Sequence, residues 1–230
     1  MNDPSLAKSA ARPALNTKTV TTLAMLTGVA YVVMFLSKSL PSVNGFLDFD
    51  FKDVVICIGG FTFGPMAAAA ISAVVALIEM FTISTTGPIG MLMNVLATVS
   101  FCCTASFIYK KKHTMSGAVL GLGLGVVALT VIMLLWNYFI TPMYMNTPRE
   151  VVAAMLVPVF LPFNLVKGGM NMAATLLLYK PVVTALRRAN LVPPSTSQGQ
   201  TRRASAGFFL FALVLLATFI LFALVLWDII

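Results

Sequence analysis

Charge is what this chain has least of. Asp, Glu, Lys and Arg make up 10% of its 230 residues, against 59% hydrophobic residues. A soluble domain of this size carries about 25% charged residues, so an ordinary water-soluble fold is excluded. Histidine occurs once, as His113 in a polar connection beside Lys110, Lys111 and Lys112, where a solvated loop residue is expected rather than a ligand or base. Cys57, Cys102 and Cys103 all fall in apolar runs without ligand spacing, so neither a disulfide framework nor a metal site is expected. No G-x-x-x-x-G-K-S/T sequence occurs, which excludes ATP hydrolysis by the chain through a P-loop. The "GLGLG" at 121–125 lacks dinucleotide spacing and lies in an apolar helix, where it permits close helix packing. No paired carboxylates and no serine–histidine arrangement share a plausible site, so an enzyme is not expected, and neither is a cofactor.

Long apolar runs fill the space that charge leaves. They are continuous rather than alternating, which excludes a β-barrel and leaves transmembrane helices, since backbone groups in lipid must be satisfied within the segment. A bilayer core of about 30 Å takes about 20 apolar residues per helix. Runs occur at roughly 20–36, 54–83, 88–109, 117–140, 151–179 and 208–227. The second is too long for one ordinary span and is interrupted at Gly64-Pro65. The expectation is an all-α polytopic bundle in contact with membrane lipid. The formal charge of +8 lies between the apolar runs, as membrane anchors do, so nucleic acid is not an expected partner.

The charge pattern decides whether 54–83 is one helix or two. With two helices and a cytoplasmic N-terminus, Lys8, Arg12, Lys18, Lys110 to Lys112, Lys180, Arg187, Arg188, Arg202 and Arg203 all fall inside. Only Lys38, Lys52 and Arg149 then fall outside, and Lys167 lies within a span. One helix would move the lysine run outside, against the positive-inside bias. Two helices of about 15 residues rise only about 22 Å each. Tyr109 and Tyr179 then precede inner lysines, while Trp136 and Trp227 sit near outer ends, as interfacial aromatics do.

The stretch "LPFNLVKGGMN" (161–171) places an amine in an apolar helix. From Lys167 to Lys180 a helix rises about 20 Å, so Lys167 lies in the outer half of the core. Asn164, Lys167, Asn171 and Thr175 share one helix face. A lysine at mid-membrane costs about 2.5–3.5 kcal/mol on insertion scales, so this face should meet a cavity or a polar partner. Internal pairing is the plainer reading, with Glu79 the best acidic candidate; a ligand site is the functional one. Asn137 in "WNYFITPMY" lies at a similar depth, ahead of a helix stop at Pro142. Asn94 is a single polar residue on an apolar helix, suited to helix packing or to ligand contact. Ala24 and Gly28 form a small face on the first helix, suited to internal packing or to a partner.

Four stretches together resemble the S components of energy-coupling-factor (ECF) vitamin transporters of the riboflavin-binding type. They are "FLDFDFKD" (46–53), "FTFGPMA" (61–67) with "TGPIG" (86–90), "NYFITPMY" (137–144) and "LPFNLVKG" (161–168). The resemblance covers roughly residues 20–190. It implies six helices with both termini cytoplasmic and a pocket near the outer surface, capped by the loop Pro41 to Lys52. It implies flavin contacts from Asn137, Asn164 and Lys167, and a polar contact from Asp48 in the cap. It further implies that the first helix docks through Ala24 and Gly28 on a transmembrane coupling (T) subunit, with two ATPase subunits supplying energy. A flat ring with a polar edge suits a mostly apolar pocket with a few placed amides.

The expected division is residues 1–18 as a cytoplasmic tail, 19–190 as a six-helix substrate-binding membrane domain, 191–206 as a cytoplasmic linker and 207–230 as an additional transmembrane helix. The expected setting is a bacterial cell membrane. The seventh helix departs from the family pattern and would place the C-terminus outside. The alternative is a standalone secondary transporter of a small polar solute, using Lys167 or Glu79 for proton coupling.

Overall fold

A computed structural model describes residues 16–192 and 206–227. Lys8, Arg12, Arg202, Arg203 and Asp228, most of the N-terminal tail and most of the 191–206 linker lie outside the described residues. Helix α1 spans Thr17–Ser37 and starts on Asn16, whose side-chain oxygen accepts the Lys18 amide at 3.3 Å. Helices α2 (Lys52–Phe63) and α3 (Pro65–Thr82) replace the single run at 54–83. Gly64 breaks it with φ 99°, a conformation that suits glycine, and Pro65 opens α3 where no N–H is needed. Helix α4 (Gly87–Lys111) has Pro88 in its first turn, and α5 spans Met115–Phe139.

Beyond α5 the chain turns through two short helices, α6 (Thr141–Met145) and α7 (Arg149–Met155). A π-helical turn, Leu156–Phe160, leads into α8 (Leu161–Arg188). Pro142 opens α6 just after α5 ends, so it does mark the end of that membrane helix. The apolar run ends near Tyr179, but α8 continues through Pro181 to Arg188. The reason is burial: Val183 and Leu186 are 3% and 8% exposed, which offsets the one N–H that Pro181 lacks. Helix α9 spans Ala206–Leu226 and returns alongside α8.

Six segments among the described residues are long and apolar enough to cross a membrane. Helix α2 is not one of them. Its 12 residues rise only about 18 Å, so its first residues lie inside the bundle rather than at its surface.

Close packing of α4 on α5 comes from the glycine stretch. A methyl group at Gly121 or Gly125 would lie 2.7 Å from the carbonyl oxygen of Ala105 or Phe101, whereas one at Gly123 would meet nothing within 4 Å. Gly125→Leu should therefore destabilise the fold by at least about 1–3 kcal/mol, and Gly123→Leu should not. Melting in detergent compares the two; equal melting temperatures would remove the packing role of Gly125. At the end of the bundle marked by Lys110 and Lys180, the Tyr109 and Tyr179 hydroxyls lie 2.8 Å apart, with the Phe61 ring against both.

The loop from Lys38 to Phe51 covers the opposite end. Asn44 and Gly45 both take positive φ, 51° and 76°, which makes a tight reversal. Val43 and Leu47 close it with mutual amide–carbonyl bonds of 2.8 and 3.0 Å.

Candidate functional site

Beneath this loop lies a cavity of about 370 Å³. Met34, Leu129, Met133 and Phe163 supply apolar wall, while Asn94, Asn164 and Lys167 supply polar groups from α4 and α8. Lys38, Asp48, Asp50 and Glu79 complete it.

The polar stripe of α8 is buried as its spacing predicts. Asn164, Asn171 and Thr175 are 4%, 1% and 0% exposed. Lys167 Nζ donates to Asp50 Oδ2 at 2.7 Å and to the Asp48 carbonyl at 3.3 Å. Asn171 donates to the Asp50 carbonyl at 2.9 Å. The stripe thus holds the cap loop by its backbone as well as by its charge. Lys167 does not pair with Glu79, the partner expected from sequence. Glu79 instead faces Lys52 at 3.6 Å and Lys38 at 3.9 Å, and accepts the Asn94 amide at 2.9 Å.

Lys52, expected outside, is the first residue of α2 and is 3% exposed. It lies 3.5 Å from Asp50 and close to Glu79, because α2 is too short to carry it to the surface. Asp53, next along, accepts a 2.7 Å bond from Thr98. Lys38 and Ser42 bond the two Asp48 oxygens at 2.7 and 2.6 Å. Three ammonium groups, on Lys38, Lys52 and Lys167, therefore meet the carboxylates of Asp48, Asp50 and Glu79, while a fourth carboxyl, Asp53, is held by Thr98. Each ammonium finds an opposite charge, which burial demands of Lys52 and Lys167.

Four of the predicted binding residues, Asp48, Asn94, Asn164 and Lys167, share this one cavity. Asn137 lies one helical turn beyond the wall residue Met133 and is not itself on the wall. Its amide donates to the Met133 carbonyl at 2.7 Å, and its oxygen accepts from Thr141 at 2.9 Å. Asn164 donates to the Phe160 carbonyl at 2.7 Å, which leaves its oxygen and a second N–H unspent. Sequence reasoning missed Asp50, although a signal existed. In the extended stretch "DFDF", Asp48 and Asp50 fall on one side and Phe49 and Phe51 on the other.

The arrangement offers a chamber with apolar walls and paired polar groups under the cap loop, which suits binding of a small molecule. The profile of the family described as "ECF transporter, substrate-specific component" matches residues 18–179. The chain belongs to this family. As an S component it is a transporter subunit rather than an enzyme, and it is a multi-pass membrane protein.

It is 30% identical over 177 residues to the riboflavin transporter RibU of Staphylococcus aureus, covering 74% of this chain and 93% of that one. It is 28% identical over 189 residues to the riboflavin transporter FmnP of Bacillus subtilis, covering 77% of this chain and all of that one. A solved bacterial ECF transporter S component superposes with a TM-score of 0.64 at 31% identity, covering 74% of this chain and 98% of that chain. The all-α bundle read from the sequence is thus the S-component fold. Helix α9 lies beyond the family match.

Proposed function

We propose that this S component captures riboflavin at the outer face of a bacterial cell membrane for ATP-driven uptake by partner subunits. The observation that carries the reading is the cavity itself. It has the size of a small-molecule site, apolar walls for a flat ring, amides of Asn94 and Asn164 for a ring edge, and lysines already paired with carboxylates, so no ionic ligand is demanded. Relatives that match over almost their whole length are named as riboflavin transporters. Asn137 enters this site by exchanging its Thr141 bond for one to the ligand. Absorption and fluorescence spectra of the purified protein, followed by riboflavin and FMN titrations, test the proposal. Saturable quenching at nanomolar riboflavin supports it; its absence in folded protein refutes it.

The distribution of charge supports the orientation. Lys18, Lys110, Lys111, Lys112, Lys180, Arg187 and Arg188 lie at the end of the bundle opposite the cap, as a cytoplasmic face requires. The N-terminus is then cytoplasmic and the cap external.

Docking on the T subunit of the transporter, which carries two ATPase subunits, falls to α1. Leu26, Ala30 and Met34 of α1 are buried in the bundle, while Ala24 and Gly28 are exposed. A methyl group at Gly28 would meet nothing within 4 Å.

Binding should also be insensitive to pH near neutrality. Burial alone would raise the Asp48 carboxyl, but bonds from Lys38 and Ser42 and the charge of Lys38 hold it below its ordinary 3.8. A lowered carboxylate contributes fully above its ordinary value and is lost only as pH falls through the lowered one. Riboflavin affinity should stay constant from about pH 5 to 8 and weaken in stronger acid. A fluorescence titration across pH checks this, and a midpoint near neutrality would contradict the Asp48 assignment.

A further inference from the structure

Helix α9 is the one membrane helix with no part in the proposed capture. It packs along α8, with Ala212 buried toward its start and Phe219, Ala223 and Trp227 beside the binding site. Phe219 sits directly over Gly169 of α8, so closely that a methyl group at Gly169 would collide with the ring. One turn on, Ala223 is fully buried in the same seam. Beyond it, the Trp227 indole meets the Phe49 ring edge-on, with centroids 5.4 Å apart and planes at 85°.

Phe49 belongs to the cap loop and is 2% exposed. Its other face meets Phe163 of α8 at 4.8 Å. Phe163 lines the cavity and Phe49 does not. Phe49 is therefore clamped from behind, between α8 and α9, while its two neighbours in the chain face the ligand space. Those neighbours are Asp48, whose carbonyl receives Lys167, and Asp50, whose carboxylate receives it. Phe49 is joined by one peptide group to each, so seating its ring restrains both the Asp48 carbonyl and the backbone that carries the Asp50 carboxylate.

We propose that α9 is a brace within the chain for the cap loop. Trp227 is a positioning residue that holds Phe49, and through it the Asp48 and Asp50 groups bound to Lys167. Phe219 seats α9 on Gly169 so that Trp227 reaches the loop. The brace slows opening of the loop and so prolongs occupancy of the cavity. The effect on ligand release rests on the riboflavin reading; the effect on the loop does not.

Two measurements on the full chain in lipid nanodiscs separate these. The first is hydrogen exchange of the Val43, Leu47 and Phe51 amides without ligand, all of which are hydrogen-bonded in the closed loop. The second is riboflavin release by stopped-flow fluorescence. Trp227→Ala should speed exchange at these amides and accelerate release about three- to tenfold, the scale of one aromatic pair, with little change in association. Trp227→Phe should stay near wild type in both. Exchange in α4 and α5 should not move in any variant. Phe219→Ala leaves the Phe49 contact surface intact and should loosen the same amides. It also serves if Trp227→Ala does not assemble. Unchanged loop exchange in Trp227→Ala and Phe219→Ala would overturn the brace. So would a uniform rise in exchange through the whole bundle. A loosened loop in a protein that fails to bind riboflavin upholds the brace and refutes the substrate reading.

Discussion

Lys167→Met should weaken riboflavin binding about 10- to 100-fold, the scale of one or two bonds to a charged donor. An ammonium carries three donors. Asp50 and the Asp48 carbonyl take two, which leaves one for a ligand in the cavity that Lys167 lines. The substitution does two things at once, because it also leaves the buried Asp50 with only the more distant Lys52, at 3.5 Å. Removing one partner of a buried ion pair costs about 3–5 kcal/mol when nothing replaces it, and Lys52 should reduce that figure. A second variant separates the effects. Lys167→Met combined with Asp50→Asn should recover much of the lost melting temperature in detergent while leaving affinity low. Asn164→Ala should lower affinity with little loss of stability, since its own bond is to a carbonyl one turn away. Wild-type affinity in both Lys167→Met and Asn164→Ala would remove these residues from the site.

Ala24→Trp should leave riboflavin binding intact and abolish uptake in cells that supply the coupling and ATPase subunits. The side chain is exposed on the face of α1 turned away from the bundle. A large ring there meets no part of this chain's cavity, yet it prevents the close approach that small residues four apart allow between helices. The two assays must diverge. Normal uptake by the variant would mean that α1 does not dock through Ala24, and lost binding would mean that the substitution disturbs the fold instead.

Much of the fold was legible because membrane insertion writes it into the sequence plainly. Gly64-Pro65 and the lysine run at 110–112 together called for two helices where hydropathy alone showed one, and α2 and α3 are those helices. The depth and shared face of Asn164, Lys167 and Asn171 followed from helical spacing. What spacing could not supply was the partner across the cavity. Glu79 was the natural candidate for Lys167, being an acid on a membrane helix, and it proved to serve Lys38, Lys52 and Asn94. Asp50 sits in a segment without helical period, in a loop that composition assigns to solvent. Only folding that loop into the mouth of the bundle turns its carboxylate inward. Lys52 escaped for a related reason, since its burial depends on α2 being short.

The pairing of every lysine around the cavity has an electrical consequence. Lys38, Lys52 and Lys167 each keep a carboxylate partner inside the protein, so an uncharged ligand enters without drawing a fixed charge through the transmembrane field. A unit charge moved through that field changes in energy by about 2.3 kcal/mol per 100 mV. On the riboflavin reading, capture should therefore proceed alike in energised and depolarised cells. An anionic analogue bound at the depth of Lys167 would feel the voltage directly, and its occupancy would follow the metabolic state of the membrane.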